Sequence, residues 1–375
     1  MKISSNFDSG NIEVVRLESA TDIQLNIKKD NNSDFYQWFH FKLETSAGEE
    51  HTIKILNAQQ SAYPEGWKDY NVMASYDRNT WFRVDTDYDD GPLVINHIPE
   101  FDHVFYAYFV PYSYERHLDL IHSAQLNPNT QLTTLGQTID GRDISVIQVG
   151  EPAEHKKSIW ITARQHPGES MAEWYVEGLL ERLFDLDDAT SRLLQQKAVF
   201  YIVPNMNPDG SVRGHLRTNA NGVNLNREWL TPSKENSPEV YYVREHMLST
   251  GVDMFLDIHG DEAIPYNFVA GCEGIESYDQ KHRDLETLFK QSYAAVTPEF
   301  QDEFGYPKDE PGQALKTVGS AWVGEQFKCL AYTVEMPFKD HNNAPDVDYG
   351  WNDVRSAKFG ADVLTAILAV VDTLR

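Results

Sequence analysis

His166 and Glu169 stand three positions apart in W-I-T-A-R-Q-H-P-G-E, residues 160–169, where an apolar, β-branched run gives way to Pro167-Gly168. An imidazole and a carboxylate brought to one point make half of a divalent-metal site, and the Pro-Gly pair predicts the turn that would bring them there. His259 ends a second apolar run, M-F-L-D-I-H-G, and Glu335 lies near the end of a third, A-Y-T-V-E-M-P. Catalytic zinc takes three protein ligands and keeps one position open for water. His166, Glu169 and His259 supply that count. Glu335 sits between Val334 and Met336, where a carboxylate is costly unless it is paired or functional. It is the candidate base for a water activated at neutral pH.

Spacing alone decides little, because His-x-x-Glu occurs three times: His97–Glu100, His166–Glu169 and His259–Glu262. The first flanks Ile98-Pro99 and reads as a structural turn. The third leaves Glu262 as a competing fourth ligand or an entrance charge. Residues 215–229, H-L-R-T-N-A-N-G-V-N-L-N-R-E-W, form a polar loop without helical periodicity. Asn226-Arg227 reads as a clamp for a terminal carboxylate, since Arg binds carboxylate bidentately and an amide adds orientation. Arg217 reads as a stabiliser of charge on a carbonyl oxygen. The plainer alternatives are surface ion pairs for the arginines, a salt-bridged core carboxylate for Glu335 and a backbone-bonded strand end for His166.

The elements that must position these groups fall into two regions. Up to about residue 115, short alternating or apolar runs (Ile23/Leu25/Ile27, Phe39/Phe41/Leu43, Ile53/Ile55, 105–110) predict an antiparallel β-sandwich. Beyond it, strand-like runs at 144–149, 158–163, 198–203, 252–258 and 331–336 alternate with helix-like segments near 170–184, 238–249, 279–294 and 352–374. That alternation predicts an α/β fold, a mixed, mostly parallel sheet with helices on both faces. The expected domains are 1–115 and 116–375. Ser170 is the expected N-cap of the helix after His166, with Glu173 as its capping-box partner.

The chain has 375 residues and a formal net charge of −26. Nucleic acid and anionic membranes are poor partners for such a surface, because clustered Lys and Arg are needed to neutralise phosphate. No apolar run is long enough for a membrane span, and the first residues lack a signal-peptide pattern. A cytoplasmic address is expected, with Cys272 and Cys329 reduced.

H-P-G-E, N-P-D-G, R-x-x-x-x-G-V-N-L-N-R, D-I-H-G and T-V-E-M-P-F together resemble the M14 zinc metallocarboxypeptidases, and more narrowly the cytosolic carboxypeptidase subfamily in its bacterial type. Q-W-F-H-F, S-A-Y-P-E-G-W and F-Y-A-Y-F-V-P-Y-S-Y are similar to the β-sandwich domain that precedes the catalytic domain there, so the resemblance covers nearly the whole chain. It implies one Zn2+ per chain on His166, Glu169 and His259, and peptide or protein C-terminal tails as substrate. Arg217 would polarise the scissile carbonyl, Asn226 and Arg227 would bind the substrate carboxylate, and Glu335 would be general base and then general acid. Two departures stand out. Asn224 replaces the Asp that commonly backs a zinc-bound His, which predicts weaker zinc binding. Ser320, with only Lys316 nearby in sequence, stands where a basic residue would select C-terminal glutamate. The tyrosine that digestive members close over substrate has no evident counterpart. The alternatives are a zinc amidohydrolase of N-acyl amino acids, aspartoacylase-like, and a non-catalytic zinc-containing binding protein.

Overall fold

The computed structural model describes residues 1–375. Ten strands occupy the first part: β1 (Lys2–Ser4), β2 (Glu13–Leu17), β3 (Ile23–Asn26), β4 (His40–Glu44), β5 (His51–Ile55), β6 (Val72–Ser75), β7 (Phe82–Val84), β8 (Thr86–Asp87), β9 (Leu93–His97) and β10 (His103–Ala107). They form two five-stranded sheets, ordered β1-β4-β10-β6-β7 and β2-β3-β5-β9-β8. The alternating residues that signalled strands point inward: Ile23, Leu25, Ile53, Ile55, Phe41 and Leu43 are all fully buried in one core. Pairing is antiparallel except between β3 and β5, which run parallel. That pair departs from the expected all-antiparallel pattern, because the long excursion from 27 to 50 returns the chain in the same direction.

The rest forms a seven-stranded sheet ordered β11-β12-β14-β13-β15-β17-β16. Its strands are β11 (Thr130–Gln137), β12 (Asp143–Val149), β13 (Lys157–Ala163), β14 (Ala198–Val203), β15 (Met254–Asp261), β16 (Phe268–Ala270) and β17 (Leu330–Pro337). Eight helices accompany it: α1 (Tyr114–Ala124), α2 (Met171–Phe184), α3 (Ala189–Lys197), α4 (Pro208–Arg213), α5 (Pro238–Thr250), α6 (Gln280–Val296), α7 (Gly319–Phe327) and α8 (Asp353–Val370). Strands β14, β13, β15 and β17 are mutually parallel, and the edges are antiparallel. Successive residues of β13 face opposite layers, as period-two alternation requires. Ile159 and Ile161 join the core that includes α2, α6 and α8, whereas Trp160 joins a second core with α5 and α7. Helices α2 and α8 pack closely: a methyl added to Gly178 would strike the Ala357 carbonyl, and one on Gly360 the Tyr175 carbonyl.

The two parts share the larger core. Tyr108 stacks on Phe338 at 4.5 Å between ring centroids, and Phe109 meets the same ring edge-on. Burial of one such side chain contributes roughly 1.5–3 kcal/mol, so this junction holds the β domain firmly against the end of β17.

Candidate active site

The crevice lies at the carboxyl ends of the parallel strands. After β13 the chain adds β14 on one side, then returns to add β15 on the other. Such a switch point is where open α/β sheets bind ligands. His166 follows β13 by three residues. His259 and Glu335 are direct partners across β15 and β17, so both side chains leave the same face.

The H-P-G-E turn is fixed from beneath. Arg164 is buried and adopts φ +56°. Its guanidinium donates to the carbonyls of Pro167 and Tyr112, each at 2.9 Å, and to Glu173. Gly168 N donates to Leu216 O at 2.9 Å, and a Cβ there would lie 3.0 Å from that oxygen, so glycine serves the close approach. The expected capping box is absent. Ser170 Oγ donates instead to Val110 O, and Glu173 is occupied by Arg164, His117 and Asn205. A buried arginine is a stronger claim on that carboxylate than a backbone amide is.

His166 Nδ1 lies 2.6 Å from Glu169 Oε1, His259 Nδ1 lies 2.8 Å from Glu169 Oε2, and the two Nδ1 atoms are 3.2 Å apart. The opposite nitrogens face acceptors: His166 Nε2 is 3.2 Å from Asn224 Oδ1, and His259 Nε2 is 2.9 Å from Asp257 Oδ2. Those acceptors assign the ring protons to Nε2. Both Nδ1 lone pairs then converge on a carboxylate, and such a gathering of electron pairs needs a cation at its centre. The residues therefore fit a zinc ion, with His2Glu donor chemistry and oriented rings. All three are buried, and their donor atoms lie within 4.8 Å of one another. Burial, aided by the charge of Arg217, holds the His166 pKa down to about 4. Burial also opposes charge on His259, but Asp257 and Glu169 outweigh it and push that pKa well up. At Glu169, burial is outweighed by the two imidazoles, which hold the carboxyl below its usual range.

Glu335 Oε1 lies 3.1 Å from Tyr306 OH, whose single proton it shares with Asp261 Oδ2 at 2.7 Å, while its buried Oε2 has no partner. Burial pushes its carboxyl well above the usual range; His259 opposes this, and Glu169 and Asp261 add to it. A cleft of about 510 Å³ contains Glu335, the three metal-type residues, Arg217, Asn226 and Arg227. Neither guanidinium forms an ion pair within the chain; Arg227 donates to the carbonyl of Asn226. Arg227's pKa is lowered by partial burial and then by the charge of Arg217. Two neighbouring, unpaired arginines in a chain of net charge −26 form a place for an anion. Asn226 accepts from Gly319 N at 2.8 Å, and its amide N–H2, at the cleft, lies 3.4 Å from His259 Nε2.

All seven expected site residues thus line one cleft. Glu262 lines it too but does not join the metal-type group, and His97 is held by Tyr106 and Tyr76 within the β domain. Lys316 pairs with Glu276 outside the cleft. The lysines that do line it are Lys290 and Lys308, far from Ser320 in sequence. Asp257, the same-face neighbour two residues before His259, is a partner that period-two alternation alone could have indicated. Tyr306, from an irregular stretch, and Tyr63, from the β domain, carried no spacing signal.

The family model of the cytosolic carboxypeptidase N-terminal domain matches residues 3–109, and that of zinc carboxypeptidase matches residues 117–353. The chain belongs to the zinc carboxypeptidases and is a metallocarboxypeptidase. It is similar to the crystal structure of a metallo-carboxypeptidase from Burkholderia cenocepacia, at 48% identity and TM-score 0.97 over 99% of both chains. It is also similar to a Pseudomonas aeruginosa metallo-carboxypeptidase solved with (2-guanidinoethylmercapto)succinic acid, at 46% identity and TM-score 0.98 over 100% of both. Cytosolic carboxypeptidase 6 of Caenorhabditis elegans is 27% identical over 362 residues, 89% of this chain and 78% of that protein. Against human cytosolic carboxypeptidase 1 the match spans only 26% of the longer protein. No helix is long and apolar enough to cross a membrane.

Proposed function

We propose that this metallocarboxypeptidase removes single C-terminal residues from peptide or protein tails, with one zinc held by His166, Glu169 and His259. The observation that carries the reading is the convergence of two Nδ1 atoms and one carboxylate at 2.6–3.2 Å beside the unpartnered oxygen of Glu335. Bound zinc lowers the pKa of water and polarises a carbonyl. Glu335 takes the proton of the attacking water at Oε2 and returns it to the leaving amine, while Tyr306 keeps Oε1 in place. Arg217 donates to the carbonyl oxygen as negative charge develops there. Asn226 and Arg227 hold the terminal carboxylate, which sets the bond to be cut one residue from the end.

Ser320 and Thr333, whose hydroxyls are 3.0 Å apart, line the same cleft and are the candidates to meet the side chain of the departing residue. Beyond them, Lys290 is matched by Glu286 and Asp302, and Lys308 by Glu273 and Glu286. Two lysines among three carboxylates leave no free cation for a C-terminal glutamate. The guanidino group of the ligand in the Pseudomonas relative likewise supports basic ends. A division at residues 115/116 and a cytoplasmic address belong to the same proposal. They are supported by which strands share a sheet, by the cytosolic relatives and by two free cysteines.

The test is mass spectrometry of the zinc-supplemented protein with peptides differing only in their last residue (Arg, Lys, Leu, Glu), alongside N-acyl amino acids. Loss of one C-terminal residue, from basic ends most readily, is expected. Deacylation without any peptide trimming would replace this reading with the amidohydrolase one.

A further inference from the structure

The oxyanion candidate, Arg217, is not seated by its own domain. Asp30, buried in the loop after β3, points its carboxylate at the main chain on either side of it. Leu216 N donates to Oδ1 at 2.7 Å; Arg217 N and Thr218 N donate to Oδ2 at 2.8 and 2.9 Å; Thr218 Oγ1 adds a fourth bond at 3.1 Å. The same part of the β domain grips the preceding residues. Asn11 Nδ2 donates to Gly214 O at 2.8 Å, and Asn31 N donates to His215 Nε2 at 3.1 Å. The side chain is bracketed as well, with Arg217 Cζ 5.5 Å from the Phe35 ring centroid and 5.4 Å from that of Tyr63. The guanidinium itself donates to no protein acceptor, so its direction depends on these backbone bonds and two ring faces.

We propose that Asp30 is a positioning residue for catalysis: the β domain completes the active site by locking residues 216–218, so that Arg217 meets the substrate carbonyl. Chemistry explains the choice of residue. Three successive amides present only donors and the Thr218 hydroxyl can donate as well, and a carboxylate accepts from all of them with charge-assisted bonds. An amide at position 30 would turn an N–H2 group against those donors. Arg217 would then lose its fixed position, and misplacement of an oriented group by about 1 Å costs on the order of a hundredfold in rate.

This rests on the assignment of Arg217 to the carbonyl, and the experiment separates the two. Asp30→Asn, Arg217→Ala and the double variant are compared as zinc-loaded full chains on the best peptide of the C-terminal panel. A second readout, trypsin cleavage after Arg217 followed by mass spectrometry, needs no activity. The expected result for Asp30→Asn is a kcat lower by roughly 10–100-fold, KM within about twofold, unchanged zinc content and faster cleavage after Arg217. In the Arg217→Ala background Asp30→Asn should cost less than about twofold more, since partners in one unit are not additive. Asp30→Asn with lowered melting temperature but unaltered kcat, or with a loss that adds in full to that of Arg217→Ala, overturns the proposal. Should Asp30→Asn not fold, Phe35→Leu keeps apolar volume on a half-buried side chain and removes one ring face. It must also lower kcat without adding to Arg217→Ala, and full activity in it counts against the seat. If Arg217→Ala itself keeps full kcat, the carbonyl assignment fails first and the proposal with it.

Discussion

Asn224→Asp should tighten zinc binding. His166 Nε2 donates across 3.2 Å to the neutral Asn224 Oδ1, which also accepts from Asn226 N at 3.1 Å. The other imidazole faces a carboxylate, Asp257, at 2.9 Å. The two rings are thus backed unequally. A neutral hydrogen bond contributes a net 0.5–1.5 kcal/mol and one to a charged group about 1.5–3. The exchange should therefore strengthen the support of His166 by about 1 kcal/mol, near fivefold in affinity. The added charge also favours a cation, and partial exposure of position 224 limits its desolvation cost. Together these predict zinc held roughly 5–30-fold tighter, within the range that outer-shell partners carry. Competition against a chromogenic zinc chelator at neutral pH measures it, and Asn224→Ala should move the other way. Unchanged or weaker binding in Asn224→Asp would refute the reasoning that His166 ligates through Nδ1 with its proton at Nε2.

Two other changes probe separate parts of the molecule. His166→Ala should leave the far-UV circular dichroism intact but reduce zinc after dialysis to well below one per chain, because a three-ligand site loses a third of its donors; full occupancy by metal analysis would exclude His166. Glu239 is fully buried, with Oε1 unpartnered, and burial raises its pKa to about 8. In the unfolded chain it ionises near its ordinary value, so between pH 4.5 and about 8 the folded state keeps a proton that the unfolded state has lost. The stability present at low pH is lost as pH rises through that window. Glu239→Gln should remove this decline, on the order of 5 kcal/mol, and melting curves at pH 5, 7 and 9 that stay parallel for both proteins would contradict it.

How much of this was legible in the chain follows from where each signal resides. The strands carrying His259 and Glu335 announce themselves as apolar runs because both of their faces are covered; Met254–Asp261 lies two to three residues beyond the expected 252–258, and Leu330–Pro337 exceeds 331–336 by one residue at each end. Strand β11, T-Q-L-T-T-L-G-Q, is a half-exposed edge with no apolar period and was missed. Helix α7 gives no helical signal in the sequence, since glycines at 319 and 324 obscure its helical character. The capping box at Ser170 was locally sound and lost to a tertiary competitor, Arg164. Tyr63, Lys290 and Lys308 reach the cleft from distant positions, Asp30 holds the main chain behind it, and no spacing rule connects residue 30 with residue 217. The metal-type residues are legible because they cluster at strand ends; the seat of Arg217 is not, because Asp30, Phe35 and Tyr63 come from the β domain.

Glu335 is the proposed base beside the three metal-type residues. Glu335→Gln keeps the shape of the side chain and removes its basicity. With zinc content measured on the same sample, single-turnover release of the C-terminal residue should fall by at least about a thousandfold while one zinc per chain is retained. Zinc-loaded Glu335→Gln that trims peptides at the wild-type rate would contradict the account.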